Sequence, residues 1–423
     1  MPIDQDNLPI VSISRRGADR IRAGHVWIYR SDIVDAKDVP RGALVIVQEL
    51  SDKPSVNRAE KSARLARARA LGSAFYSSAS QIALRMISPH RVENLDQLLR
   101  ERIRAAMAYR ERFVENTNAY RVIFSEGDFL PGLIVDRYND LLTVQILTQA
   151  MDVAWIREIA ISELKEQLQP AAIIERVDAR VRSLEQLPER QSGLIFSADA
   201  PTGETPVPPL SLIQTEFQMN GVRFRYDALG GQKTGGFLDQ RENYAAAAKY
   251  ARGEALDVFC YQGGFALHLA RSCEKVTGVD SSRPALEIAE RNAALNGKDL
   301  EWIEANAFDY LRDYSDRGKK YDCIVLDPPA FAKSKRDLEI ALRGYKELNL
   351  RALKMLRPGG ILVSCSCSYH VSPTDLLDTI AGAARDSHRI LRLLENRGAS
   401  PDHPTVVGIP ESAYLKCMIM LVS

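Results

Sequence analysis

A parallel α/β sheet wound on both faces, preceded by a β-rich barrel and a small α+β unit, is the architecture this sequence predicts. Two patterns and one interruption predict it. From about residue 255 onward, apolar β-type runs alternate with helical runs, as in a parallel sheet covered on both sides. Residues 8–92 read instead as short strands separated by turns. Between the halves runs Pro201-Thr202-Gly203-Glu204-Thr205-Pro206-Val207-Pro208-Pro209, which has little capacity for regular structure. A chain of 423 residues also exceeds one ordinary domain of ~150 residues. The predicted units are residues 1–92, 93–210 and 211–423, with no internal repeat.

In the first unit, Leu44-Val45-Ile46-Val47 and the alternating Gln81-Ile82-Ala83-Leu84-Arg85-Met86-Ile87 read as strands, with a basic insertion over about 51–72. Helical spacing of Leu98, Leu99, Ile103, Ala106 and Met107 predicts a helix over 95–117. Pro131-Gly132 marks a turn between two strands, and a strand over 141–147 and a helix over 152–167 complete the second unit. In the third, strands are expected over 255–260, 275–280, 321–326 and 361–365. Helices fall over 265–272 and 283–296, and a long one is stopped near Arg357 by Pro358-Gly359-Gly360.

Composition narrows the class. Apolar residues make up 45% and charged residues 26%, so cores of ordinary size can form. No apolar run reaches the eighteen residues of a membrane span, and the acidic start Met1-Pro2-Ile3-Asp4-Gln5-Asp6 does not read as a secretory signal, so a cytoplasmic location is expected. None of the six cysteines makes a C-x-x-C pair and histidine is scarce, which argues against a metal site. Most of these thiols are expected to be free core residues. Net charge is only +1, yet residues 1–92 hold 15 Lys+Arg against 9 Asp+Glu, while the remainder holds 41 against 46. That asymmetry favours an electrostatic footprint on the N-terminal unit. Much of it comes from Lys53, Arg58, Lys61, Arg64, Arg67 and Arg69, a run that reads equally as a solvated basic helix.

Asp257-Val258-Phe259-Cys260-Tyr261-Gln262-Gly263-Gly264-Phe265 leaves a strand and enters a helix, and its Gly pair permits close approach of backbone to a ligand. The next strand ends in Gly278-Val279-Asp280, where a carboxylate can accept both ribose hydroxyls of a nucleoside. The dinucleotide fingerprint G-x-G-x-x-G is absent, which argues against a dehydrogenase. Asp327-Pro328-Pro329-Ala330-Phe331 ends the third strand, and its prolines force a turn that puts Asp327 at the carboxyl end of the sheet.

This last run resembles motif IV of class I methyltransferases that modify nucleic-acid bases or amide nitrogens. More specifically, Gly231-Gln232-Lys233-Thr234-Gly235-Gly236-Phe237-Leu238-Asp239-Gln240-Arg241-Glu242-Asn243 resembles the signature of bacterial class I 23S ribosomal RNA cytosine-carbon-5 methyltransferases of the type I family. Glu126-Gly127-Asp128, Val135-Asp136-Arg137-Tyr138, Asp402-His403-Pro404 and Pro410-Glu411-Ser412-Ala413-Tyr414-Leu415-Lys416 are similar to further blocks of that family, so the resemblance covers nearly the whole chain. It implies an N-terminal PUA-type RNA-binding barrel, a central α+β domain and a Rossmann-like methyltransferase domain. Implied too are S-adenosylmethionine as cofactor and RNA, 23S rRNA in particular, as partner, with a homodimer left open and neither membrane nor metal. Cofactor contacts are implied for Lys233, Thr234, Gly235, Gln240, Tyr261, Gly263, Gly264, Asp280, Asn306, Ala307 and Asp327. The sequence departs from the family at Gly236, where a second bulky aromatic is usual, and at Asn306, where an acid for the adenine amino group is common.

By the same resemblance, Cys367 in Ser364-Cys365-Ser366-Cys367-Ser368-Tyr369-His370 is the nucleophile, with Asp327 stabilising the activated base. Strand alternation puts Cys365 on the same face but one step further into the sheet, where it reads as packing. Carbon 5 of cytosine is too weak a nucleophile to take a methyl group directly, and a thiolate added at carbon 6 raises its electron density. His370 and Lys333 are close in sequence but read as ordinary surface residues, so the base that removes the carbon-5 proton is unassigned. Two other readings compete. One keeps the cofactor but methylates a guanine nitrogen in RNA, which needs no cysteine. The other is a non-catalytic RNA-binding assembly factor.

Overall fold

The computed structural model describes residues 8–50, 69–198, 213–230, 235–332 and 334–423. The linker at 201–209, Lys233, Thr234, Lys333 and the insertion's Lys53, Arg58, Lys61, Arg64 and Arg67 lie outside them. Among the described residues four sheets form. The first unites β1 (Ile10–Ile13), β2 (Trp27–Tyr29), β3 (Ile33–Asp35), β4 (Leu44–Glu49), β5 (Ala70–Tyr76) and β6 (Ile82–Ser88) in the order β2-β6-β5-β4-β1-β3, with α1 (Arg15–Arg22) between β1 and β2.

After α2 (Leu95–Phe113), a five-stranded sheet runs β11-β10-β9-β8-β7. Its strands are β7 (Ala119–Phe124), β8 (Leu133–Tyr138), β9 (Leu141–Ile146), β10 (Ala172–Glu175) and β11 (Gly193–Ser197), with α3 (Ala154–Leu168) and α4 (Ala179–Leu184) between them. Helix α2 stops four residues before the expected end because Val114 turns extended and Asn116 enters the left-handed region at φ 54°. The Pro131-Gly132 turn is also longer than expected. A 3-10 turn (Ser125–Asp128) and left-handed Phe129 follow β7 before Gly132, at φ +86°, opens β8.

The hairpin of β12 (Gln214–Met219) and β13 (Val222–Asp227) precedes α5 (Arg241–Tyr250), β14 (Glu254–Val258), α6 (Gly264–Leu269), β15 (Lys275–Asp280), α7 (Arg283–Leu295), β16 (Glu301–Glu304), α8 (Ala307–Asp316) and β17 (Tyr321–Leu326). Then come α9 (Leu338–Met355), β18 (Leu356–Ser366), α10 (Pro373–Asp386), β19 (Leu391–Arg397) and β20 (Lys416–Val422). The resulting sheet runs β16-β15-β14-β17-β18-β20-β19, with β20 antiparallel to both neighbours. Pro358-Gly359-Gly360 lies within the span of β18, where the pairing slips from Tyr321↔Leu356 to Cys323↔Ile361. Helix α9 has already ended at Met355, where Leu356 turns extended.

Alternate residues of these strands enter two cores. Ala255, Cys323, Val325, Val363 and Cys365 pack with the β12–β13 hairpin, α5 and α6 on one face. Leu256, Val258, Ile324, Leu326 and Leu362 pack with α8, α9 and α10 on the other. Each buried Val or Leu contributes about 1.5–3 kcal/mol, so covering both faces holds the parallel strands together. The order reverses at β14, flanked by β15 and β17, and such a switch opens a crevice at the strands' carboxyl ends.

Polar contacts tie the units to one another. Trp27 Nε1 donates to Glu126 (3.0 Å), and His25 Nε2 lies 3.1 Å from Glu411. Deeper in, Arg241 and Asp402, both with fully buried side chains, pair through two hydrogen bonds of 2.9 and 3.1 Å. Asp402 also accepts the backbone N–H of Arg121 (2.8 Å), and its own carbonyl accepts from Arg110 (2.8 Å).

Candidate active site

At the switch point a cavity of about 450 Å³ is lined by Asp257, Tyr261, Gly264, Asp280, Gln240, Asp327 and Cys367, among others. The turn after β14 is wound tightly, with Phe259 (φ 68°), Tyr261 (φ 49°) and Gly263 (φ 86°) all left-handed. Left-handed non-glycine residues cost about 1–3 kcal/mol each and cluster at ligand sites. Gly264 is required by packing as well. A Cβ there would meet the Tyr244 ring at 2.5 Å. The close approach expected of the Gly pair is thus made partly to Tyr244 and not only to open space.

The Asp280 carboxylate accepts the backbone N–H of Tyr261 and of Ser282, each at 2.9 Å, which fixes it at the mouth of the turn. Asp327 follows β17 directly, and one of its oxygens accepts from Gln240 Nε2 (2.9 Å). Gln240 is buried and is itself oriented by Asn243 (2.7 Å). Cys365 is fully buried in β18, whereas Cys367 comes just past the strand end, half-buried, its Sγ 3.9 Å from the Pro328 carbonyl. Cys260, Cys323 and Cys417 are buried free thiols, as the sequence led us to expect.

Gly235 (φ 127°) and Gly236 bring the segment before α5 against Tyr138, whose hydroxyl accepts the Gly236 N–H (2.9 Å). At Gly236 the rings of Phe217 and Tyr138 already stand 3.6 Å from the site of a Cβ. Asn306 and Ala307 are at the start of α8 and are not part of this cavity's lining. The Asn306 Oδ1 caps the helix, accepting from Phe308 N (2.9 Å) and Asp309 N (3.4 Å), so it is already occupied.

Asp257 was not singled out from the sequence, although a carboxylate inside an otherwise apolar buried strand is a signal. Its Oδ2 accepts the Ala266 N–H (2.8 Å), while Oδ1 is buried without a hydrogen-bond partner among the described residues. Burial pushes its pKa up, the Ala266 N–H opposes this, and Asp327 and Asp280 raise it further, to about 8. Phe237 and Tyr261 meet edge to face at 5.1 Å to form an aromatic wall, and Tyr414 reaches Asp239 (2.6 Å) beside it. Four carboxyl groups around one crevice, Asp239, Asp257, Asp280 and Asp327, one with an orphaned oxygen, suit a cationic nucleoside such as S-adenosylmethionine, which carries a sulfonium and an ammonium group.

A cation seated beside Asp257 favours its ionised form, so binding should release a proton at pH 7. Calorimetry in buffers of different ionisation enthalpy is expected to detect that proton with S-adenosylmethionine. Asp257→Asn should abolish its release and weaken binding about tenfold, roughly 1.4 kcal/mol.

Among the described residues no cluster of His, Cys, Asp and Glu could hold a metal ion, and no helix is long and apolar enough to cross a membrane. Residues 208–418 match the family model of S-adenosylmethionine-dependent methyltransferases, and residues 11–54 match that of PUA-like domains. A crystal structure of a methyltransferase complexed with SAH superposes with a TM-score of 0.77 at 18% identity, covering 98% of this chain and 100% of that one. Fold and site therefore define a Rossmann-like, S-adenosylmethionine-dependent methyltransferase with a PUA-like domain at its N-terminus. A ribosomal RNA large subunit methyltransferase I of Tolumonas auensis is 40% identical over 353 residues, 82% of this chain and 86% of the relative. That of Shewanella amazonensis is 37% identical over 405 residues, 93% and 94% of the two chains. The chain belongs to the ribosomal RNA large subunit methyltransferase I family.

Proposed function

We propose that this enzyme methylates carbon 5 of a cytosine in large-subunit ribosomal RNA through a transient bond to Cys367. The observation that carries the reading is the position of one half-buried thiol, at the end of β18, in the same cavity wall as Asp327. The relatives' name supplies the RNA. When bound, the cofactor supplies a methyl group on a positively charged sulfur. Tyr261, the Gly263-Gly264 turn and Asp280 would hold its nucleoside part, and the Asp257 carboxyl would meet its positive charge.

Cys367 adds through sulfur to carbon 6 of the base, which makes carbon 5 nucleophilic enough to accept the methyl group. Loss of the carbon-5 proton then restores the ring double bond and expels the thiolate. Asp327, with one oxygen held by Gln240, accepts from the amino group of the base or, when protonated, donates to ring nitrogen 3. The target nucleotide must be unpaired or swung out of its stack to reach this crevice. The N-terminal unit grips phosphates, so affinity falls steeply with salt.

The test is mass mapping of large-subunit rRNA from cells lacking the protein. One 5-methylcytosine should disappear and return when the wild-type chain is restored. Loss of a methylated guanine instead would overturn the reading in favour of a nitrogen methyltransferase.

A further inference from the structure

Lys416 opens β20 directly opposite Ser366 of β18, and it is only 3% exposed. Lysine is almost never buried so deeply unless its charge is met. Here Nζ donates to the carbonyl oxygens of Ser368 (2.6 Å) and Tyr414 (2.8 Å). Ser368 is the residue after Cys367, and Tyr414 belongs to the cavity wall. One ammonium group thus ties the turn that bears the sulfur to the wall of the same cavity. From the α9 side, Tyr345 hydroxyl meets Ser366 Oγ (2.9 Å) and Ser368 Oγ (3.2 Å), and Ser368 Oγ also accepts the Ala332 N–H (3.3 Å).

We propose that Lys416 is the positioning residue of Cys367: it fixes the turn that carries the sulfur and supplies the positive charge that favours the thiolate. The proposal rests on the reading of Cys367 as nucleophile. Lys416 from β20 interacts electrostatically with Cys367 and with Asp375 of α10, and Tyr345 from α9 does so with Cys367 and with Asp327 after β17. Asp327 opposes ionisation of the thiol, and Lys416 is the cation among these groups. Burial lowers the Lys416 pKa to about 8, with Cys367 and Asp375 acting to raise it. Near neutral pH the ammonium is therefore still largely charged, and a positive charge beside the turn favours the thiolate over the thiol.

Alkylation by iodoacetamide reads the thiolate directly, without RNA or cofactor, when Cys367 is followed by peptide mass mapping from pH 5 to 9. Lys416→Met should move the Cys367 alkylation profile upward by about one pH unit or more, slowing the reaction at pH 7 about tenfold. Lys416→Arg, which keeps the charge, should stay close to wild type. A short unstructured cysteine peptide added to every sample serves as the reference, since burial pushes the Cys273 thiol up to about 11. Should the Met variant not fold, Lys416→Gln removes the charge while keeping a donor for the carbonyls. Superimposable profiles for the wild type and the folded neutral variant would overturn the proposal. If Cys367→Ser protein methylates RNA undiminished while the alkylation shift is present, the nucleophile reading fails and the Lys416–Cys367 coupling stands. If methylation needs Cys367 but the profiles coincide, Lys416 alone is dismissed.

Discussion

Cys367→Ser is expected to lower the rate of methyl transfer to RNA by roughly a thousandfold or more, about 4 kcal/mol in the barrier. The size follows from the chemistry of the target. A serine hydroxyl in place of the thiol is a far weaker nucleophile at neutral pH. Binding should be spared, because the residues proposed to hold the cofactor come from the ends of β14 and β15 and the turn at Tyr261, not from β18. Single-turnover assays with radiolabelled cofactor measure the chemical step, and equilibrium dialysis checks that cofactor affinity is unchanged. A second readout comes from RNA carrying 5-fluorocytosine. Its carbon 5 has no proton to lose, so the enzyme–RNA adduct should persist on denaturing gels with wild type and be missing with Cys367→Ser. Unaltered transfer by the serine variant would remove both the covalent mechanism and the case for cytosine.

The place of Cys367 just past the end of β18 was legible in the sequence, whereas the burial of Lys416 was not. The parallel sheet was legible because β14, β17 and β18 are buried on both faces and read as continuous apolar runs bounded by Gly and Pro. Asp280 and Asp327 were legible because each ends such a run, where a strand must hand over to a turn. The β12–β13 hairpin was overlooked although Asn220-Gly221 sits between alternating residues, with φ of 50° and 78°. The short β16 and the antiparallel β19 and β20 carry little periodic signal of their own and are defined by their neighbours. Lys416 could not be foreseen. A lysine in Tyr-Leu-Lys reads as a solvated end of a strand, and its burial follows only from β20 lying against β18. The helix cap formed by Asn306 was equally invisible, since the same amide in the sequence fits a cap or an adenine contact.

Asp402→Ala is expected to destabilise the fold by about 3 kcal/mol, because it leaves the buried Arg241 with Glu242 (3.0 Å), a partly exposed neighbour, as its remaining carboxylate partner. Arg241 and Asp402 are 161 residues apart in sequence, yet neither side chain has any solvent exposure. Removing the carboxylate would leave the guanidinium without its bidentate partner and would also free the Arg121 N–H that Asp402 accepts. Burial alone would push the Asp402 pKa up, but His403 at 3.4 Å and Arg241 overcome it and hold the carboxyl well below the usual range. A carboxyl depressed in the folded state contributes its stability in full above its unfolded pKa of ~3.9, and that contribution is withdrawn as the pH falls through the folded value. Urea unfolding at pH 7 should therefore show the full loss for Asp402→Ala. The gap to wild type should narrow once the pH drops well below 4. Arg241→Met combined with Asp402→Leu removes both charges and should recover part of the loss, since a well-packed apolar pair can replace a buried ion pair. Arg241 follows Gln240, which orients Asp327, so the recovered double variant also separates stability from catalysis. If it folds with near-wild-type stability yet transfers methyl groups slowly, the pair matters for aligning Asp327 as well as for holding the units together. Single variants within 1 kcal/mol of wild type would mean that water reaches this seam and that the two charges are not buried as a pair.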